Sequence, residues 1–566
     1  MVFWDINWRR GWRWVKRSRA AARVDSGRNR SETVEKDARA RFRHNRAQGG
    51  GLACATDGRG MRTTTAFLLL LTCGGAGAAA DRKAVVLRVL KHDVSPPLRE
   101  MAARVTGTLP AGAGLRVAPN AGDPGLGLNF AGIAADVDTT GTPPPDTNGA
   151  AGATQFVQWV GNVYAVFNKD NGSIELGPFP GNNVWTGFGG ACETNNSGQP
   201  IAQYDKNAGR WVLAQPVLVT PYTYCIAVSN TSDATESYFR YAFALTLPSG
   251  GTPDSPKLAV WPDAYYTSFN IIENGNVTGA LAIAYDRVNM LDGGSRQPVA
   301  FTLGSTETYI LPSDWDGATP PSSGEPDFYM NVGAPSTLNL YQFHVNFDNP
   351  GDSTFSGPVA IKVKPPTAAS DPDVCTRKPG HCDSITQPSP GVLLDALPNE
   401  LMYRLAWRKL NGKEHLLTNQ TVFGSGSVAF IEWYDITNPD GTPAVAQQGS
   451  VSNATTNYWM GSIAEDKMGD MAIGFSASST SLFPSIEFVG RLATDTKGTT
   501  GSTEPIATGT NVQESTPLWG AYSSMSMDPS DDCTFWYTTE FIQTPPSGST
   551  ANWSTWIASL KFPACP

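Results

Sequence analysis

Four polar residues stand where a strand-rich chain would enter a new strand. They are Asp146 in PPPDTNG, Lys257 in SPKLAVWPD, Arg404 in MYRLAW and Tyr522 in WGAYSSM. Trp261, Asp263, Tyr265 and Trp519 are their acidic and aromatic neighbours in the chain. Paired carboxylates beside a Tyr or Arg suit glycoside cleavage, and aromatic faces suit sugar stacking. The same residues have a plainer use, since buried aromatics pack sheets together and Asp caps turns. Histidine chemistry has little to draw on. Beyond the first 60 residues only His92, His344, His381 and His415 remain, and no G-x-S-x-G elbow precedes His344 or His415. His344 sits within an alternating strand pattern, as a structural histidine does. HExxH, phosphate-loop, dinucleotide and EF-hand patterns are all missing, so no metal site and no cofactor is expected. The acidic run DPSDD at 528–532 lacks the Gly and terminal Glu of a calcium hand and reads as a β-turn. Structural calcium there is the alternative.

The elements that must carry these residues follow one grammar. In LWGAYSSMSMDPSDDCTFWYTTEF a short apolar run meets Asp528 and an aromatic strand follows. The same order recurs around Asp205 in QPIAQYDKNAGRWVLAQP, Asp263 in PKLAVWPDAYYTSFN and Asp466 in MGSIAEDKMGDMAIGFSAS. Further strands read at Phe156–Val160 and Val163–Phe167, followed by a Lys169-Asp170-Asn171-Gly172 hairpin turn. Seven units emerge. The first opens near Asp146, and the others span 199–247, 256–301, 327–347, 401–448, 458–491 and 519–562. Units of about 40 to 50 residues with about four strands each are propeller blades. The expected fold is therefore all-β: a single β-propeller over 129–566, with seven four-stranded blades. A strand near Ile133 is expected to complete the last blade beside TWIASLKFPAC, clasping the ring.

Composition agrees. Charged residues make up only 16 % of the chain, while 57 Gly, 42 Pro and 10 % aromatics suit many short strands joined by turns. The net charge of -9 hides a split. Residues 1–60 hold 15 basic and 6 acidic side chains, leaving 27 basic and 45 acidic in the rest. An acidic body repels phosphate backbones, which argues against a nucleic-acid partner. At Met61 begins MRTTTAFLLLLTCGGAGAAADRK, with a basic start, an apolar run and Ala78-Ala79-Ala80 before Asp81. This is the pattern of an export signal over 61–80. Residues 1–60 then read as a start-site artefact or a basic leader. The apolar run is far shorter than the roughly 20 residues of a membrane span. The protein is accordingly expected to be secreted, extracellular or periplasmic, and monomeric, with lipidation at Cys73 as an alternative. Residues 81–128 read as a Pro/Gly/Ala-rich lead-in containing a short helix in PPLREMAARV.

Six cysteines follow the signal, and six allow fifteen pairings. Position favours sequential pairing: Cys192 with Cys225, Cys375 with Cys382, and Cys533 with Cys565. His381 adjoins Cys382 in CTRKPGHC, but the spacing fits no usual zinc pattern, and an oxidising compartment favours the disulfide.

From PPPDTNGAAGATQFVQWV onward the chain resembles a family of secreted bacterial β-propeller proteins, mostly without an assigned activity. CETNNSGQPIAQYDKNAGRWVLAQ, PKLAVWPDAYYTSFN, YWMGSIAEDKMGDMAIGFSAS and NWSTWIASLKFPAC carry the resemblance, which covers about 129–565. In outline it is also similar to sialidase-type propellers, without their Arg triad or their repeated S-x-D-x-G-x-T-W boxes. The family pattern puts Asp where this chain has Gln199 and Ala521, and Arg where it has Tyr458. If those positions do chemistry in relatives, this chain has lost it. Two functions follow as expectations. One is binding of an extracellular glycan or protein at the central mouth or one face. The other is a glycan-active hydrolase or lyase using Asp146, Lys257, Arg404 and Tyr522.

Overall fold

Short apolar runs punctuated by Asp, Asn and Gly fold here as consecutive antiparallel hairpins. The computed structural model describes residues 82–101, 123–137, 144–333, 336–365, 382–398, 400–424, 427–545 and 552–566. All belong to one compact unit, Gly77–Pro566. The basic leader, the export signal, Cys73, Cys375 and His381 lie outside the described residues.

The first sheet shows the local logic. Its strands Asn148–Ala151, Gln155–Val160, Val163–Asn168 and Ile174–Pro180 lie side by side in chain order. The turn between the third and fourth closes at Gly172, whose φ of 72° is the left-handed conformation that glycine adopts without a Cβ clash. Two further four-stranded sheets, two five-stranded sheets and one eight-stranded sheet repeat the scheme, and Asp383–Ile385 pairs with Leu394–Asp395 as a small ribbon. Among the described residues every pairing is antiparallel except one. Leu311–Trp315 runs parallel to Leu405–Leu410, and this seam joins two sets of four strands into the eight-stranded sheet.

The first strands of successive sheets lie against each other in a closed circuit. Asn148–Ala151 touches Ile201–Asp205, then follow Thr252–Val260, Leu311–Trp315, Leu405–Leu410, Asn457–Glu465 and Ser524–Met527, which returns to Asn148–Ala151. The result is an all-β, propeller-like arrangement. Large aromatics fill the wedges between sheets. Trp261 meets Trp407 with ring centroids 5.3 Å apart, and Trp459 meets Trp519 at the same spacing.

The expected clasp is present. Gly125–Ala134 pairs with Trp553–Lys561, which pairs with Thr534–Ile542, which pairs with Ser524–Met527. Buried Gln158 of the first sheet ties the clasp to its neighbour. It donates to Thr538 and Thr555 at 2.8 and 2.9 Å and accepts from the Ile133 amide at 2.8 Å. The disulfides Cys192–Cys225 and Cys533–Cys565 are both formed. Cys382 is also disulfide-bonded.

Three boundaries differ from expectation. Val85–Val86 and Val89–Val94, read as part of a lead-in, add outer strands beside Val299–Leu303 and Tyr238–Ala244. The β-branched density of KAVVLRVLKHDV is the signal for them. The fourth unit begins at Leu311 rather than Asp327, because Pro312 disguises its first strand. The sixth runs on to Glu504–Ala507.

The Cys533–Cys565 bridge closes a loop of 32 residues within the clasp. Replacing both cysteines by Ser is expected to lower the unfolding free energy by about 3–4 kcal/mol in the chain-entropy account. A urea titration reads this as a lower midpoint, and an unchanged midpoint would show that the clasp does not depend on the bridge.

Candidate functional site

The approach to each inner strand is built the same way. Asp146, Gln199, Ser255, Tyr309, Met460 and Ala521 lie just before or near the start of six of the inner strands, and each has a φ between 47° and 55°. At the remaining strand, Leu405–Leu410, the Tyr403–Arg404 peptide is cis. A left-handed non-glycine residue costs on the order of 1 kcal/mol. Six in equivalent places mark a designed feature.

Five of these residues line one cleft of about 380 Å³ at the ring's mouth: Asp146, Gln199, Ser255, Tyr309 and Ala521. Asp254, Asp395 and Glu400 add carboxylates, and the Asn274-Gly275 hairpin closes one side. Asp395, Leu397 and Glu400 come from the segment between the fourth and fifth units. That segment is anchored across the face by Gln387, which donates to the Gln513 carbonyl at 2.8 Å. The left-handed turns put side chains in register for hydrogen bonds. Gln199 donates to Asp254 at 2.7 Å and accepts from the Ser255 amide at 3.1 Å.

Below the cleft Lys257 is buried. Its ammonium donates to Ser255 Oγ at 2.8 Å and stands 3.8 Å from the centre of the Tyr522 ring. Burial lowers the Lys257 pKa, against the opposing pull of Glu400, Asp254 and Asp146. Tyr522 donates its hydroxyl to the Pro256 carbonyl at 2.7 Å. Burial, with Asp146 nearby, holds that phenol well above its ordinary range. Tyr522 is thus a neutral strut, poorly placed to act as a base.

Deeper still, the channel is plugged. Arg404 is 1 % exposed, ion-pairs with Asp314 and Asp316, and donates across the axis to the Met525 carbonyl. Lys206 makes a second ion pair with Asp316. Burial works against the Asp316 carboxylate, but Arg404 and Lys206 outweigh it and hold its pKa below the ordinary value. Gln203 donates to Asp314 at 3.1 Å, and Tyr403 donates to the Leu258 carbonyl at 3.1 Å. A smaller cleft of about 270 Å³ at the far end has Lys206, Trp315 and Asp532 in its wall.

The seven candidates therefore separate. Asp146, Trp519 and Tyr522 line the mouth cleft, Lys257 lies beneath it, and Arg404 lies in the plug. Trp519 is also committed to packing, since its indole nitrogen donates to Ser476 at 3.1 Å. Trp261 and Asp263 do not line the cleft. They occupy the turn after Thr252–Val260, at the far end of that inner strand, where Trp261 donates to the Glu325 carbonyl at 3.1 Å and Tyr266 donates to Asp263 at 3.2 Å. Tyr458, grouped with the mouth by resemblance, is instead core. It packs on Phe475 at 4.8 Å, and Met460 holds the left-handed position. Tyr309 and Glu400 are cleft residues that the sequence reading did not single out; unusual backbone conformation marks the first, and no local pattern marks the second.

The recurring turn aspartates serve structure. Arg287 and Tyr265 donate to Asp205 at 3.0 and 3.1 Å, and Lys169 and Trp536 donate to Asp528 at 2.7 and 2.9 Å. Among the described residues no group of three or more His, Cys, Asp or Glu side chains is arranged to hold a metal ion, and no helix is long and apolar enough to cross a membrane.

No protein-family model matches this chain, and no curated protein matches it. Three solved structures illustrate its likenesses. A DUF4623 family protein from Bacteroides eggerthii DSM 20697 is 10 % identical, with 69 % of this chain and 78 % of that chain covered and a TM-score of 0.31. The Hadza microbial sialidase Hz136 is 12 % identical over 75 % of each chain, with a TM-score of 0.25. The GH43 endo-arabinanase from Bacillus licheniformis is 9 % identical, with 50 % of this chain and 88 % of that chain covered and a TM-score of 0.25. Overlaps this low carry no argument about the site.

Two predictions test this account. Arg404→Met leaves two buried aspartates without their main cation and is expected to cost about 3–5 kcal/mol. Adding Asp314→Asn and Asp316→Asn should recover part of that loss in urea unfolding; no recovery would show that packing, rather than charge, holds the plug. The second concerns Asp263 and Asp466, each raised from 3.8 to about 6 by burial. The folded state therefore holds protons that the unfolded state has released, and these groups' share of stability, full below the unfolded pKa, is lost as pH rises through 6. Asp466→Asn should flatten the stability–pH curve between about pH 4 and 6 relative to the parent; parallel curves would refute the assignment.

Proposed function

We propose that this protein is an exported, seven-bladed propeller that acts as a single chain and binds a neutral, polyhydroxylated glycan at its central mouth. The blade count rests on dividing the eight-stranded sheet at its parallel seam, which makes two four-stranded blades to add to the five sheets of four or five strands among the described residues; the two-stranded ribbon is not counted as a blade. Export is supported by the signal pattern and by the two disulfides, which persist in oxidising compartments.

The observation that carries the ligand class is the convergence of Asp146, Asp254, Asp395 and Glu400 with Gln199 and Ser255 around one cleft. Carboxylates and amides are acceptors for sugar hydroxyls, and an excess of carboxylates disfavours an anionic ligand. Half-buried Tyr309 offers the aromatic face on the rim. Binding is favoured over turnover because Tyr522 is bonded to a carbonyl and Arg404 is sealed in the plug.

The reading assigns no cofactor. In the acidic turn, Asp528 is paired with Lys169, Asp531 with Lys561 and Asp532 with Arg408, so chain cations already supply the charge that calcium would bring.

A panel of neutral oligosaccharides titrated calorimetrically against the mature protein tests the proposal, with new reducing ends and unsaturated products followed in parallel. One class should bind without turnover, and Tyr309→Ala and Glu400→Gln should each weaken it about tenfold. Product formation abolished by Asp146→Asn would establish a glycan-active enzyme instead. A chelator is expected to leave both binding and melting temperature unchanged.

A further inference from the structure

A second cleft, of about 530 Å³, opens between the sheet of Leu405–Val451 and that of Asn457–Ala507. It lies at the opposite ends of these inner strands from the mouth. Its wall includes the 410–413 and 468–469 turns that follow Leu405–Leu410 and Asn457–Glu465. The cleft has a different chemistry. Lys413, His415, Arg491 and Lys497 supply four basic side chains, with Gln447 and Glu465 between them.

Three atoms here are buried with no hydrogen-bond partner: Nε of Arg491, Oε1 of Gln447 and Oε2 of Glu465. Arg491 and Glu465 are each only 3 % exposed. A buried polar atom without a partner is destabilising, and three in one cleft are a set of unmet bonds. The surrounding side chains are held in place. His415 Nδ1 is 2.9 Å from Asp435, Gln447 donates to the other oxygen of Asp435 at 3.2 Å, and Arg491 donates to the Leu492 and Asp495 carbonyls at 2.8 and 3.1 Å. Arg491 is thus fixed by its two terminal nitrogens, with Nε left over.

We infer that this cleft binds a hydroxylated monocarboxylate, a uronic acid unit, with the carboxylate toward Arg491 and the lysines and the hydroxyls toward Gln447 and Glu465. An anion is called for by the basic side chains. Hydroxyls are called for by Gln447 Oε1, which can only accept. A doubly charged phosphate is disfavoured by the adjacent Asp435 and Glu465 carboxyl groups. Burial raises the Glu465 pKa to about 7, which lets it offer a proton as well as a lone pair near neutrality. The site is independent of the mouth, whose excess of carboxylates selects against the same ligand.

Calorimetric titration of the full mature chain with galacturonic acid, galactose and inorganic phosphate tests the inference. Galacturonic acid should bind at least about tenfold more tightly than either of the others. The paired surface reversal Lys413→Glu with Lys497→Glu should weaken it at least about fivefold at an unchanged melting temperature, and Gln447→Met, which also removes a bond to Asp435, should weaken it as much. Failure to bind galacturonic acid, equal binding of galactose or of phosphate, or binding unaffected by both variants would each overturn the proposal. Failure of the neutral oligosaccharides at the mouth would leave this result intact, so the two readings fall separately.

Discussion

Closing a ring of sheets leaves one edge of every inner strand facing its neighbour without a ladder to join. An unpaired buried amide is costly, so each seam needs a substitute partner. This chain uses polar side chains on the inner strands. Asn148 accepts from the Ala202 amide at 2.8 Å and Asp314 from Val260 at 2.9 Å. Ser462 accepts from Met525 at 3.0 Å and Ser526 from Ala151 at 3.1 Å. Among the described residues only the seam between Leu311–Trp315 and Leu405–Leu410 is bridged by a true parallel ladder. The buried polarity near the axis is therefore architectural first. Arg404 and its aspartates extend the same solution across the channel, where opposite charges replace the apolar filling of an ordinary core.

How much of this was legible in the sequence depends on whether a feature has a local period. Hairpins around Asp205, Asp466 and Asp528 announce themselves through alternation and turn residues, and the clasp through a stray strand near Ile133. The mouth has no such signature. Asp146, Gln199, Ser255, Tyr309, Met460 and Ala521 share a backbone conformation and no side-chain chemistry, so residue types alone do not group them. Trp261 and Asp263 look as eligible as Lys257 because all three flank one apolar run. Trp261 nevertheless stands four residues further along the same extended run than Lys257, about 13 Å at about 3.3 Å per residue, and so leaves the mouth behind. The Asp383–Glu400 segment looks like an interruption in the repeat, yet it supplies one wall of the cleft.

The two clefts thus carry different charge, although the blades that form them are alike. The mouth gathers carboxylates over a buried ammonium, while the opposite face sets cations around a histidine.

The clasp also sets an order of events for the growing chain. The Ile133 carbonyl accepts from Thr555 Oγ1 at 2.7 Å, a contact between residues 422 positions apart. The early partner leaves the ribosome hundreds of residues before the late one exists. Individual hairpins can form as they emerge, but the ring has no closing edge until Trp553–Lys561 has been made. That strand acts as a built-in timer, withholding the closed ring until it arrives.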